Sequence, residues 1–180
     1  MNFLYTKFPD YTLVNGNKVK IVTDFRNYIQ LTDILREKAL TVEEKWLYII
    51  NSFYKDVPKE NPLDLIEGII AFASMDIDYF ENGKEIVIEE EGQTKELIDY
   101  KQDAGLIISS FLQFYNIDLT NIEYLHHWKF KMLLENIDDK SKIGQVISIR
   151  NTSLIDIKDK EERKRIRKLQ NIYKIRRQFE

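Results

Sequence analysis

His126 and His127 are the only histidines of the 180-residue chain, and they stand side by side. On a helix, adjacent side chains point about 100° apart, so the pair cannot close on one metal ion as an i, i+4 pair would. The expected role is structural: one histidine hydrogen-bonds in the core or an interface beside Trp128, and the other is exposed. Asp76, Asp78 and Glu81, or the run Glu89 to Glu91, have the oxygen ligands that Mg²⁺ takes. Neither cluster is accompanied by an HExxH, a GxSxG or a glycine-rich phosphate loop, and the chain holds only 6 glycines. Both therefore read as solvated loop carboxylates. The expectation is a protein with no catalytic residues, no metal site and no cofactor.

Binding chemistry is better represented. Lys158 to Glu180 holds 10 Lys/Arg and 4 Asp/Glu, net +6, which leaves −9 on residues 1–157 of a chain whose total is −3. A basic tail follows an acidic body. Lys160, Arg163, Lys164, Arg167 and Lys168 would suit phosphate contacts, so a nucleic-acid-binding function is one reading. The interleaved Ile166, Leu169, Ile172, Tyr173 and Phe179 form an apolar stripe, which favours a protein surface, either the body or a partner chain.

The elements that position these residues are legible from pattern. Cysteine is absent, which removes disulfides and thiolate chemistry and suits a reducing compartment. No apolar run approaches the roughly 20 residues of a membrane span, and the N-terminus lacks the features of a signal peptide, so no membrane contact is expected. Asn15-Gly16 between alternating segments predicts a hairpin over Tyr11 to Ile21. Thr23 or Asp24 caps a first helix to about Lys38; Thr41 with Glu44 is a capping box for a second, ending before Pro58; Asn61-Pro62 opens a third. The pattern breaks from Ser74 to about Tyr100, and residues 76–99 are assigned to a variable loop or second hairpin. Tyr100 to Tyr115 is apolar on nearly every face and is expected to be the central buried helix. Thr120 with Glu123 predicts a helix through Trp128 to Leu134, and Ser141 caps another through Ile149. Acid at Asp159, Glu161 and Glu162 and base at Lys174, Arg176 and Arg177 suit the two ends of a last helix. The fold expected is mostly α, a six- to seven-helix domain over residues 1–157 with a minor N-terminal β-hairpin, followed by an amphipathic basic C-terminal helix over 158–180.

The stretch Gln102-Asp103-Ala104 through Phe111-Leu112-Gln113-Phe114-Tyr115-Asn116-Ile117-Asp118-Leu119, then Tyr124-Leu125-His126-His127-Trp128-Lys129-Phe130, resembles a bacteriophage family called gp-fifteen. Thr23-Asp24-Phe25-Arg26 and Ile147-Ser148-Ile149-Arg150 match its flanking blocks. The sequence departs at His127, where the family has a second Trp. The resemblance implies a gene of the tail module of long-tailed phages or prophages of Gram-positive hosts, and a tail-assembly chaperone of the host cytoplasm that binds the tape-measure protein and other tail proteins. A structural tail component is a further alternative, and self-association is compatible with either. No catalytic residues come with the resemblance. Tyr124, His127 and Trp128 near the motif, and Ile166, Leu169 and Tyr173 on the last helix, are the candidate partner-binding residues, with core packing the competing role for Trp128.

Overall fold

The computed structural model describes residues 2–82 and 95–176. Within them the chain is mostly helical, with eight helices and one two-stranded antiparallel hairpin. Packing divides it into two units, Met1–Glu89 with Tyr124–Met132, and Glu90–Glu123 with Leu133–Glu180.

The first unit opens with β1 (Tyr11–Val14) and β2 (Asn17–Lys20), paired with Tyr11 opposite Lys20. Asn15 and Gly16 form the turn with φ of 50° and 76°, the left-handed values an Asn-Gly hairpin turn needs. Helix α1 (Phe25–Arg36) starts at Asp24, whose side chain accepts from Arg26 N. Helix α2 (Val42–Phe53) starts at the Thr41 and Glu44 capping box, and α3 (Pro62–Ser74) at Asn61 with Pro62 in its first turn. These three starts follow the sequence rules for caps. The core of this unit gathers on α3, whose Leu65, Ile69, Ala71 and Phe72 are almost without solvent exposure. The hairpin lies directly on it: Thr12 Oγ1 donates to Gly68 O at 2.8 Å, and a Cβ on residue 68 would stand 2.7 Å from that oxygen. Only glycine permits that approach. Helix α4 (Ile77–Asn82) buries Tyr79 and Phe80 in the same core. It occupies the start of the segment assigned to a loop, too short for periodicity to reveal. The acidic run Glu89 to Glu91 and the second hairpin considered there lie outside the described residues.

The second unit contains α5 (Ala104–Tyr115), the end of α6 (His127–Glu135), α7 (Lys142–Asn151) and α8 (Lys160–Tyr173). The expected central helix is not central. Helix α5 buries Ile107, Ser110 and Phe111 on one face, while Leu112 is 50% exposed and Phe114 sits at the edge of the exposed range. Its apolar content exceeds what one packed face can cover. Thr120 caps no helix: the Asp118 carboxylate takes Thr120 N, Thr120 Oγ1 and Asn121 Nδ2, which makes a local turn, and α6 begins only at His127. Ser141 caps α7 through Gly144 N, and Asp159 caps α8 through Glu162 N. Helix α8 ends at Tyr173, so Lys174 and Arg176 follow its last turn and are not part of it. Arg177 and Phe179 lie outside the described residues.

Candidate functional site

The motif around the two histidines meets the Thr23-Asp24 block, which lies a hundred residues away in sequence. Phe25 N donates to Leu125 O at 3.0 Å and His127 N donates to Thr23 O at 2.7 Å, so that Asp24 and His126 form an antiparallel bridge. Asp24 therefore caps α1 and also faces Leu125 N, while the Thr23 and Tyr124 hydroxyls hydrogen-bond at 2.7 Å. The starts of α1 and α6 are held together by main-chain bonds.

Both histidines are used up by this junction. His126 Nδ1 accepts from Trp128 N at 3.1 Å, which fixes its proton on Nε2, where it donates to Pro9 O at 3.0 Å. His127 Nε2 donates to Ala73 O at 3.0 Å, and its ring stacks on Tyr28 with centroids 3.9 Å apart. Its Nδ1 is buried and has no partner among the described residues. Burial, more than the neighbouring Lys131 and His126 charges, lowers the His127 pKa to about 4; burial lowers that of His126 as well. Trp128 has no exposed surface: its indole N–H donates to Phe72 O at 2.8 Å and its ring packs against Phe3, Phe72 and Phe80. Of the three motif residues proposed as contacts, His127 and Trp128 are core, and Tyr124 is 53% exposed. Neither histidine is aimed at a nucleophile, and no cluster of three or more metal-ligating side chains occurs among the described residues.

In the second unit the organising group is Arg150. Its guanidinium meets the Asp103 carboxylate in a two-pronged ion pair at 2.6 and 2.9 Å, and also donates to Leu97 O and Tyr173 O. Both side chains are buried. One arginine thus joins Leu97 in the chain before α5, the N-cap residue of α5, α7 and the end of α8. A cleft of about 360 Å³ opens beside it, lined by Lys95, Glu96, Gln170, Asn171, Lys174 and Ile175. Ile166 is buried, and Leu169 and Tyr173 are half-buried. Gln170 Nε2 donates to Ile149 O and Thr152 O, which fixes the same face of α8. Ile166, Leu169 and Tyr173 of the apolar stripe are therefore occupied within their own unit, while Ile172 is 54% exposed. Asp103 and Arg150 escaped the sequence reading as a pair, although each stands in a block that carries the resemblance, and a lone arginine closing the run Ile143 to Ile149 was the available signal.

A protein-family model described as Bacteriophage Gp15 protein matches residues 6–175. No curated protein and no solved structure gives a match.

Proposed function

The chain belongs to the bacteriophage Gp15 family, and on that premise we propose that it is a tail-assembly chaperone that holds the phage tape-measure protein before the tail tube forms around it. The match over nearly the whole chain carries this reading. It works by binding and not by catalysis, in the host cytoplasm. The histidines support that part, because their ring N–H groups donate to main-chain carbonyls inside the fold. No helix among the described residues is long and apolar enough to cross a membrane.

The geometry supports a contact surface other than the motif. On α2, Ile49, Ile50 and Phe53 face the core, and the opposite face presents Leu47 and Tyr48, 66% and 63% exposed, beside Glu44 and Asn51. Two large apolar side chains side by side on a capped helix suit the apolar stripe of a long helical client. Ile166 is a poor probe of client binding, since a polar residue there disturbs the packing of α8 on α7. The test is co-expression with the tape-measure protein. The unaltered chain should carry it into the soluble fraction and co-purify with it, and a Leu47→Ser, Tyr48→Ser variant should retain its helical circular dichroism while binding at least tenfold more weakly. Loss of neither solubility nor co-purification in that variant removes α2 as the surface; failure of the unaltered chain to do either removes the chaperone reading.

A further inference from the structure

Helix α8 has a second face that its packing leaves unused. At 100° per residue Lys160, Lys164, Arg167 and Lys168 fall within about 100° of one another, over a length of about 12 Å, and Asn171 lies on the same arc. All four cations are exposed and have no hydrogen-bond or ion-pair partner among the described residues. Arg165, outside the arc, is paired with Glu162, and Arg163 donates to Ile157 O at 2.9 Å. With Ile166 buried and Gln170 tied to α7, the helix cannot roll, so the stripe is held toward solvent.

The first unit holds a complementary surface. Asn15 Nδ2 donates to Glu60 Oε2 at 2.9 Å and to Asp64 Oδ2 at 3.1 Å, which keeps two carboxylates side by side next to the hairpin turn. Glu67 follows one turn along α3. Asp76, past the other end of α3, accepts instead from Tyr79 N at 3.0 Å.

We infer that the α8 stripe of one copy docks on the Glu60, Asp64 and Glu67 carboxylates of a second copy. Charge placement selects that occupant. A nucleic acid or an anionic membrane would have to approach a body carrying −9 over residues 1–157, whereas a second copy supplies the acid that the stripe lacks. The contact joins unlike surfaces, so each added copy leaves one stripe and one acidic patch open, and assembly depends on concentration and salt.

Sedimentation velocity of the full chain tests this. At about 20 mM salt, species heavier than the 21.6 kDa monomer should form; at about 500 mM, where screening acts within a few ångströms, only the monomer should remain. Lys164→Glu, Arg167→Glu, Lys168→Glu in one variant and Glu60→Lys, Asp64→Lys in another should each be monomeric. Mixed in equal amounts they should associate again, since the acidic stripe of one then meets the basic patch of the other. Circular dichroism checks that both are folded. A monomeric unaltered chain at low salt, a variant that still assembles alone, or folded variants that fail to associate on mixing overturns the inference. Retention of a DNA duplex at physiological salt by a chain that stays monomeric reassigns the stripe to nucleic acid.

Discussion

The two units solve the same problem with opposite chemistry. At the centre of the first, Trp128, Phe72, Phe80 and Tyr28 pack as rings, and the Trp128 indole N–H enters where the Phe72 carbonyl receives it. At the centre of the second, a buried arginine and a buried aspartate do the organising, with carbonyls of Leu97 and Tyr173 completing the guanidinium's bonds. Aromatic packing is tolerant of small geometric change and draws on area removed from water. A buried ion pair gives nothing unless both partners are present and aligned. The first centre should therefore fail gradually, and the second abruptly.

The largest effect follows from that contrast. Arg150→Met strands the Asp103 carboxylate in the interior and should cost about 3–5 kcal/mol in urea unfolding. Adding Asp103→Leu should recover most of the loss, because an apolar pair of similar volume carries no desolvation cost. A double variant as unstable as the single one would show that shape, not charge, holds this centre. The first centre answers to acid instead. His127 has its pKa near 4 when folded and an ordinary value near 6.5 when unfolded, so below pH 6.5 the unfolded chain takes up a proton that the folded chain refuses. Stability should fall as pH drops from about 6.5 to about 4, by up to about 3 kcal/mol, and level off below. His127→Phe should flatten most of that slope; an unchanged slope would move its origin to other groups, His126 first.

A smaller effect, about 1–3 kcal/mol, is expected from Gly68→Ala, whose new methyl group meets Thr12 Oγ1 and Cγ2. Gly144→Ala meets the Asp138 carbonyl at 2.7 Å in the second unit, where the obstacle is main chain and cannot rotate away. It should be the worse of the two by thermal midpoint. Equal midpoints would mean that the turn at Asp138 yields as readily as a threonine side chain.

How much was readable from sequence varies with the physical range of each signal. Caps are local, and Asp24, Thr41, Asn61, Ser141 and Asp159 all close the helices assigned to them. The Asn15-Gly16 turn is local as well. Thr120 misled because its own hydroxyl and N–H both donate to the Asp118 carboxylate two residues earlier, which closes a turn instead of a helix. The burial of α5 was overestimated because apolar content does not report which face finds a neighbour. The bridge from Asp24 to His126 and the pair of Asp103 with Arg150 were invisible for a different reason: both depend on segments far apart in sequence, and a single sequence holds no record of which segments meet. The resemblance quoted all four segments without showing that they form two pairs.

The smallest expected effect separates the units at the level of single helices. Thr41→Ala and Asp159→Ala each remove an N-cap and leave a first-turn N–H without its acceptor, a loss of about 1 kcal/mol in either case. The readout should nevertheless differ. Helix α2 buries Ile49, Ile50 and Phe53 in its later turns, so its packing holds the helix when the cap is lost, and the cost should appear as a lower global midpoint with little local opening. Helix α8 buries only Ile166, and six of its fourteen residues are Lys or Arg, which repel one another along the exposed arc. The Asp159 carboxylate also opposes that charge at the end where the helix dipole is positive. Its loss should therefore speed amide exchange through the first two turns of α8, up to the Ile166 anchor, and raising salt should restore part of the protection by screening the cations. Equal exchange in the two helices, or protection in α8 that is indifferent to salt, would show that Gln170 and Arg150 hold the last helix firmly enough that its cap and its charge no longer matter.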